Sequence, residues 1–422
     1  MQRAYNLSQC GDTIGVEAGT YDDVEIDANG SNCSVQTTFV PLGGVVTIVA
    51  TGRNNTALSL GNENKTAARK PPNHLTFDGG SGRNFHFGAS GVMGLGGMFG
   101  RIQIYADYET PTYPSHITLR NLIVDHDAPD SAQGTIGIDA GQYVTIDNVQ
   151  IGPICCGLYP DGSVAGSPTE IGVGNRSGYA VSDHVTIENS QLLGETYVGS
   201  TDWPSVLGQP PQADCGDTNA CHADAVHIVG GTNFTITGNK MYDSRAQTLF
   251  FEPIQGSLGG TNLIANNYFD TFNKGACAIC VNGGGAGVGG IWNIYFNTGG
   301  ADDGMGPDGP SYSGATFNFV GNYGSSSNCP SYSGATVNYS YNVWTGGPCG
   351  ATDKSGAFSV LDAGNWATND DNTNFDLAAG SPAIGRVPVA VCTTYVTSDL
   401  HGAPRPNATH TASCDAGADE TR

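Results

Sequence analysis

In a chain of 422 residues, 62 glycines and only 13% charged side chains leave little room for long amphipathic helices and point to one extended β architecture. The formal net charge of −23 argues against nucleic acid or an anionic membrane surface as partners, since both require a basic face. No apolar run approaches the roughly 18 residues of a membrane span, so the fitting ligands are neutral, or anionic and bound through metal ions.

In chain order, CGDTIGVEAGTYDDVEI (Cys10 to Ile26) reads as two short strands around Ala18-Gly19-Thr20. Strand-like runs then recur at TTFV, VVTIVA, LTFDGG, HITLRNLIVDHD, YVTIDNVQIG, HVTIENSQLLG, NFTITGNKMYD, NLIANNYFD, WNIYFNTGG, ATFNFVGNYG and ATVNYSYNVWTG. Most alternate β-branched or aromatic residues with polar ones at the period of two, meet an Asn, and resume as a second short apolar run. The aligned residues are Asn121, Asn148, Asn189, Asn239, Asn266, Asn297, Asn322 and Asn342. Intervals of 27, 27, 25 and 20 residues recur among them, and intervals of 41 and 50 mark an extra coil or a long loop. Short strands repeating on this scale define a solenoid. Coils of parallel strands stack at about 4.8 Å, so an Asn at the same corner of each coil can bond its neighbours above and below as a ladder. Asn also tolerates the left-handed conformation that a sharp corner demands.

The 12 cysteines give an independent check on this coil. Cys10 and Cys33, Cys215 and Cys221, Cys277 and Cys280, Cys329 and Cys349, and Cys392 and Cys414 form neighbouring pairs, and only Cys277-Ala-Ile-Cys280 has the CxxC form that zinc sites use in clusters. Disulfides are therefore expected, and with them an extracellular setting. The heptapeptide PSYSGAT occurs at Pro310 to Thr316 and again 20 residues later at Pro330 to Thr336, and Cys329 and Cys349 share that interval. One coil of separation would bring their Cα atoms within the roughly 4.4 to 6.8 Å of a disulfide. The adjacent Cys155 and Cys156 must find partners elsewhere. MQRAYNLSQCGDT lacks an apolar signal core, so a secretion signal is expected to have been removed.

From about Lys354 the alternation weakens and prolines accumulate, as expected of a cap closing the open end of a solenoid. The chain thus divides into coils over 1–353, interrupted by a long loop near 195–220, and a capping segment over 354–422. The Asn-punctuated coils, CGDTIGVEAGTY, and the ending SPAIG…SDLHGAPRP…CDAGADE resemble secreted bacterial right-handed parallel β-helix proteins of the pectate-lyase-like superfamily. That resemblance implies an all-β, right-handed parallel β-helix with a disulfide-tied C-terminal cap. For activity it implies several outcomes: polysaccharide lyases, glycoside hydrolases, fructan-processing enzymes, and adhesins or surface proteins without catalysis.

The densest chemistry lies in Cys221 to Pro253, CHADAVHIVGGTNFTITGNKMYDSRAQTLFFEP. If Val226 and Ile228 point inward, Asp224 and His222 share their parity and His227 points out. His227, Lys240 and Arg245 are then placed to meet a ligand, although a solvated Lys240 and a surface ion pair between Arg245 and Asp243 are equally ordinary. The loop Glu195 to Ala220 precedes this stretch, and long loops in compact repeats tend to carry function; its Tyr197 and Trp203, like Tyr242, His222 and His227, are candidates for contact with sugar rings. A lyase abstracts a proton α to a uronate carboxylate, for which Lys240 or Arg245 is the candidate base, with Asp224, Asp243 or VDHDAPD (Val124 to Asp130) holding Ca²⁺. A hydrolase needs a carboxylate pair, for which Asp224 and Glu252 are the candidates. The acidic runs ADDGMGPDG and NDDNTNFD read as solvated turns with weak Ca²⁺ binding at most. The primary expectation is a secreted polysaccharide lyase acting by β-elimination, followed by a hydrolase and then by a non-catalytic carbohydrate-binding or assembling β-helix.

Overall fold

The computed structural model describes the chain apart from 29–32, 51–55, 62–70, 89–100, 107–111, 125–134, 153–168, 175–180, 194–223, 245–246, 272–276, 283–284, 286, 300–303, 309–311, 313, 325–328, 330–332, 363–373, 409 and 422, and apart from the side chains of 243–244, 271, 304–308 and 362. His222, Arg245, Tyr197, Trp203, the loop Glu195 to Ala220, almost all of VDHDAPD, and Cys155, Cys156, Cys215 and Cys221 lie outside the described residues, as does the Asp243 side chain. Two compact units are present, Met1–Gly231 and Thr232–Arg422.

In the first unit, strands stack in parallel and in register, one set per coil. Asn73–Asp78, Ser115–Arg120, Gln142–Asp147 and Asp183–Glu188 form one ladder of strands. Phe85–Phe87, Leu122–Val124, Gln150–Ile151 and Gln191–Leu192 form its continuation past a corner. A second sheet runs through Val24–Ile26, Leu58–Leu60, Ile102–Tyr105, Ile136–Asp139, Thr169–Gly174 and Asp224–Ile228. Every pairing among the described residues of this unit is parallel, which identifies the fold as a parallel β-helix; the right-handed sense expected from the resemblance is the one parallel crossovers almost always take. The first strand is one continuous element, Thr13–Asp22, with a register shift between Glu17 and Gly19. The two short strands read around Ala18-Gly19-Thr20 are therefore one strand, and the irregularity lies in its partner Thr37–Val49, where residues 43–45 stand opposite Ala18 alone.

The second unit repeats the plan. Thr235–Thr237, Thr261–Ala265, Ile291–Tyr295, Thr316–Val320 and Thr336–Ser340 stack in parallel. Lys240–Ser244, Tyr268–Thr271, Thr298–Gly299, Tyr323–Gly324, Val343–Trp344 and Lys354–Ser355 stack beyond the corner. The core is filled by like residues at like positions, such as Ile236, Ile264, Ile294 and Phe319, all fully buried. Among the described residues, helix is confined to Gln2–Leu7 and Val389–Tyr395.

The Asn ladder takes two forms. In the first unit Asn121, Asn148 and Asn189 adopt positive φ themselves, and Asn148 Nδ2 donates to Asn121 Oδ1 at 2.7 Å. In the second unit the left-handed residue stands one position earlier, at Gly238, Asn266, Phe296, Gly321 and Tyr341, and the Asn that follows turns into the core. Its rungs are Asn239, Asn267, Asn297, Asn322 and Asn342, ending on the Asp353 carboxylate. Asn267, and not Asn266, is the rung of its coil. In an Asn-Asn pair one residue must supply the corner and the other the ladder; Asn266 makes the corner and donates to Ser398 O at 2.6 Å.

The C-terminal segment docks on the face that the corner strands present away from the core. Val360–Asp362 pairs antiparallel with Asn374–Leu377, and Val387–Pro388 with Ser413–Cys414. Leu377, Ala383, Val387, Cys392, Cys414 and Ala416 pack with Tyr295, Phe296, Val320 and Tyr323. Gly417 (φ 94°) lies so close to the sheet that a Cβ there would fall 2.6 Å from Thr298 Oγ1. Its N–H donates to Gly321 O at 2.7 Å. At the centre of the cap the fully buried Arg405 bonds Glu420 Oε2 (3.1 Å), Asp415 O (3.0 Å) and Gly417 O (2.7 Å), with its guanidinium 4.6 Å from the Phe296 ring centroid. Disulfides join Cys10–Cys33, Cys277–Cys280, Cys329–Cys349 and Cys392–Cys414, with Cα separations of 5.3, 5.6, 5.1 and 6.3 Å. The Cys329–Cys349 bridge is the one-coil clip that the 20-residue interval implied.

Candidate active site

The candidates fall in both units. In the first, the strand Asp224–Ile228 buries Val226 and Ile228 fully, as its alternation implied. His227 lies on the opposite face from these two, and Asp224, 2% exposed at the strand's start, turns its Oδ2 to within 3.6 Å of His227 Nδ1, so it does not join the inward row. It shares a register row with Gly172, Gly137 and Gln103. A Cβ at Gly137 would meet Gln103 Oε1 at 2.3 Å, so the missing side chain is what lets this amide lie flat on the sheet. Of the two Ca²⁺ ligands expected from the sequence, Asp224 opens this strand and the side chain of Asp243 lies outside the described residues.

In the second unit Lys240 opens the strand Lys240–Ser244, directly after the rung Asn239, and is paired in register with Tyr268. Met241 and Phe269, the next pair, are fully buried, so Lys240 and Tyr268 face the cap. Tyr242 is 7% exposed, and Glu252 follows the strand Leu249–Phe251 as a half-buried residue.

Around Lys240 the cap supplies side chains that the sequence reading did not select. Asn374–Leu377 buries Phe375 and Leu377, which turns Asp376 outward. Its Oδ1 accepts from Tyr268 Oη at 2.6 Å and lies 2.6 Å from His401 Nε2. Asp419 Oδ1 stands 4.0 Å from the same His401 nitrogen, and Asp419 Oδ2 accepts the Leu377 N–H at 3.0 Å. Lys240 Nζ lies 5.7 Å from the Tyr268 ring centroid, within cation–π range. Asp399 holds the loop below: Oδ1 accepts from the N–H groups of His401 (2.9 Å) and Ala403 (2.7 Å), and Oδ2 from Glu420 (3.2 Å).

The electrostatics follow from this geometry. Burial raises Asp376, but hydrogen bonds from His401 and Tyr268 and the charges of His401 and Lys240 outweigh it and bring the carboxyl down to about 2. The bond to Asp376 raises His401, so the imidazole is held protonated further up the pH scale than usual. Burial, with Asp376 and Asp399 nearby, pushes Asp419 up. Burial and the hydrogen bond to Asp376 raise Tyr268, which stays a phenol. Two neighbouring carboxyls are thus driven in opposite directions beside Lys240 and His401, a pattern met both at acid–base sites and in structural ion-pair networks. The side chains of His401 and Asp376 are 24% and 28% exposed, so the cluster is open to solvent at one edge.

Of the sequence candidates, the structure thus brings Lys240 into a multi-residue cluster, keeps Asp224 and His227 in the first unit, and places Tyr242 and Glu252 elsewhere in the second. The signal for the missed partners was present: NFDL alternates, and SDLHG and CDAGADE place charged residues beside turn glycines.

No protein-family model matches the sequence, and a comparison with curated protein sequences finds no match. Among solved structures, pectate lyase Pel9A superposes with a TM-score of 0.41 at 16% identity, over 100% of this chain and 90% of its own. A mannuronic-acid-specific polysaccharide family 6 lyase from human gut microbiota superposes with a TM-score of 0.25 at 10% identity, over 81% of this chain and 83% of its own. The parallel β-helix assignment rests on the strand register described above.

Proposed function

We propose that this protein is an extracellular polysaccharide lyase that cleaves a uronate-containing chain by β-elimination at the Lys240 corner. The observation that carries this reading is the convergence of Lys240, Tyr268, Asp376, His401 and Asp419 at a partly open edge of the cap. Lys240 is the group that takes the proton α to the carboxylate; the C4–O bond breaks, the C4–C5 double bond forms, and the departing oxygen takes a proton from water. Positive charge at His401 faces the uronate carboxylate and lowers the cost of the developing carbanion. Tyr268 and Asp376 are positioning residues: their hydrogen bonds fix the His401 ring. Four disulfides among the described residues support an oxidising, extracellular setting.

A hydrolase is the second reading: Asp376 and Asp419 approach the same His401 nitrogen at 2.6 and 4.0 Å, and their surroundings drive the first carboxyl down to about 2 and the second up, as the roles of a carboxylate pair would need. The two readings separate on a panel of neutral and uronate polysaccharides, followed by absorbance of unsaturated products and by reducing ends. Absorbance together with reducing ends supports elimination. Reducing ends alone move the chemistry to Asp376 and Asp419, and no product from the folded protein on any polymer removes both.

A further inference from the structure

We propose that Asp376, His401 and Asp419 form a binding site for a first-row divalent transition cation of the zinc or manganese kind, with the cation taking the place of the His401 proton. The ion would sit within the corner that the polysaccharide reading uses and would then supply the positive charge assigned there to His401; its binding does not require that reading. Each of the three residues offers one ligand atom, and these atoms lie within 4.8 Å of one another, with His401 Nε2 2.6 Å from Asp376 Oδ1 and 4.0 Å from Asp419 Oδ1. Bonds of about 2.0–2.2 Å to one ion require the 2.6 Å pair to open and the 4.0 Å pair to close by less than the length of a bond.

Three features favour an ion over a plain salt bridge. The donor set is one imidazole nitrogen with two carboxylates, which suits transition cations and not Ca²⁺ or Mg²⁺. Each ligand residue is already oriented by a second bond. The Leu377 N–H holds the far oxygen of Asp419 and Asp399 accepts from the His401 backbone N–H, whereas Tyr268 Oη donates to Asp376 Oδ1 itself, the proposed ligand atom, which would keep that bond beside the ion. Outer partners of this kind are what tune natural metal sites. A single imidazole proton also serves only Asp376; Asp419 Oδ1, 4.0 Å away, faces the same nitrogen beyond hydrogen-bond distance. The nearby Asp399 is not a ligand, since both its oxygens are occupied by backbone N–H groups. The exposed edges of Asp376 and His401 give an ion a path in and leave positions for water.

The test is titration of the chelator-stripped full chain with Zn²⁺ alone by calorimetry, and with Co²⁺ alone by visible absorption, for the wild type, Asp419→Asn and His401→Gln. Asp419→Asn keeps an oxygen for the Leu377 N–H, so the variant retains its local fold, and circular dichroism verifies this. The expected result is a saturable Zn²⁺ site of micromolar or tighter affinity, weakened at least tenfold in each variant, and a Co²⁺ spectrum whose intensity falls in parallel. Wild-type protein without saturable binding below millimolar Zn²⁺ overturns the proposal. So does binding that both folded variants retain unchanged, because the ion would then sit on other histidines.

Discussion

Asn297 is the rung whose removal reports most cleanly on what holds the second unit together. Its side chain accepts from Asn267 N (3.1 Å) and Asn267 Nδ2 (2.9 Å), and donates to Ile264 O (2.9 Å) and Asn322 Oδ1 (3.1 Å). The residue is fully buried. Asn297→Ala therefore deletes four hydrogen bonds and strands their partners away from water. At about 1 kcal/mol net per bond the loss is about 4 kcal/mol, with the cavity adding to it. That is a large share of a stability of ~5–15 kcal/mol. A second ladder in the same coils supplies the control: Asn338 Nδ2 donates to Asn318 Oδ1 at 2.9 Å, but on an exposed strand face where water replaces the bond. Asn338→Ala should cost below about 1 kcal/mol. Urea unfolding of both variants, followed by circular dichroism at constant m-value, measures the difference. Equal midpoints for the two would refute the view that the inward rungs, and not the Asn repeat as such, stabilise the coils.

Glu420→Gln and Arg405→Met each break a fully buried ion pair and leave the partner uncompensated, so each should destabilise the cap by about 3–5 kcal/mol; replacing both residues with apolar ones of similar volume should recover much of the loss, measured by the same unfolding curves. Glu188 stands in register with Asp147, and burial with that neighbour raises its carboxyl above the ordinary 4.5. A raised folded value means a contribution that is fully present below the unfolded value and is lost as pH rises through the folded one. Glu188→Gln should accordingly be more stable than the wild type at pH 7 and equal to it near pH 4, which thermal melts at the two pH values would check.

Much of the fold was legible because a β-helix writes its repeat into the chain. Alternation placed Val226 and Ile228 inward, and the 20-residue interval between Cys329 and Cys349 fixed one coil. The error at Asn266 shows the limit of that reading. A corner residue and a ladder residue demand different things of Asn, left-handed backbone in one case and a buried amide in the other, and adjacent asparagines satisfy either assignment until the neighbouring rungs are seen. Lys240 was legible as a charged residue beside a turn in a chain poor in lysine. Its partners were not, because Asp376, His401 and Asp419 come from a cap that folds back on the coils, so their proximity to Lys240 is a property of docking and not of any local pattern. The same acidic segment that reads as a solvated turn, NDDNTNFD, ends in a carboxylate that accepts both a buried phenol and an imidazole.

The most direct test of the Lys240 corner as the seat of chemistry is the initial rate of unsaturated-product formation by wild type and Lys240→Met on the best uronate polymer of the panel, with unfolding curves recorded alongside. A fall of at least a hundredfold in kcat, with stability within about 1 kcal/mol of the wild type, is the predicted result. Undiminished product formation by a folded Lys240→Met protein would contradict the account.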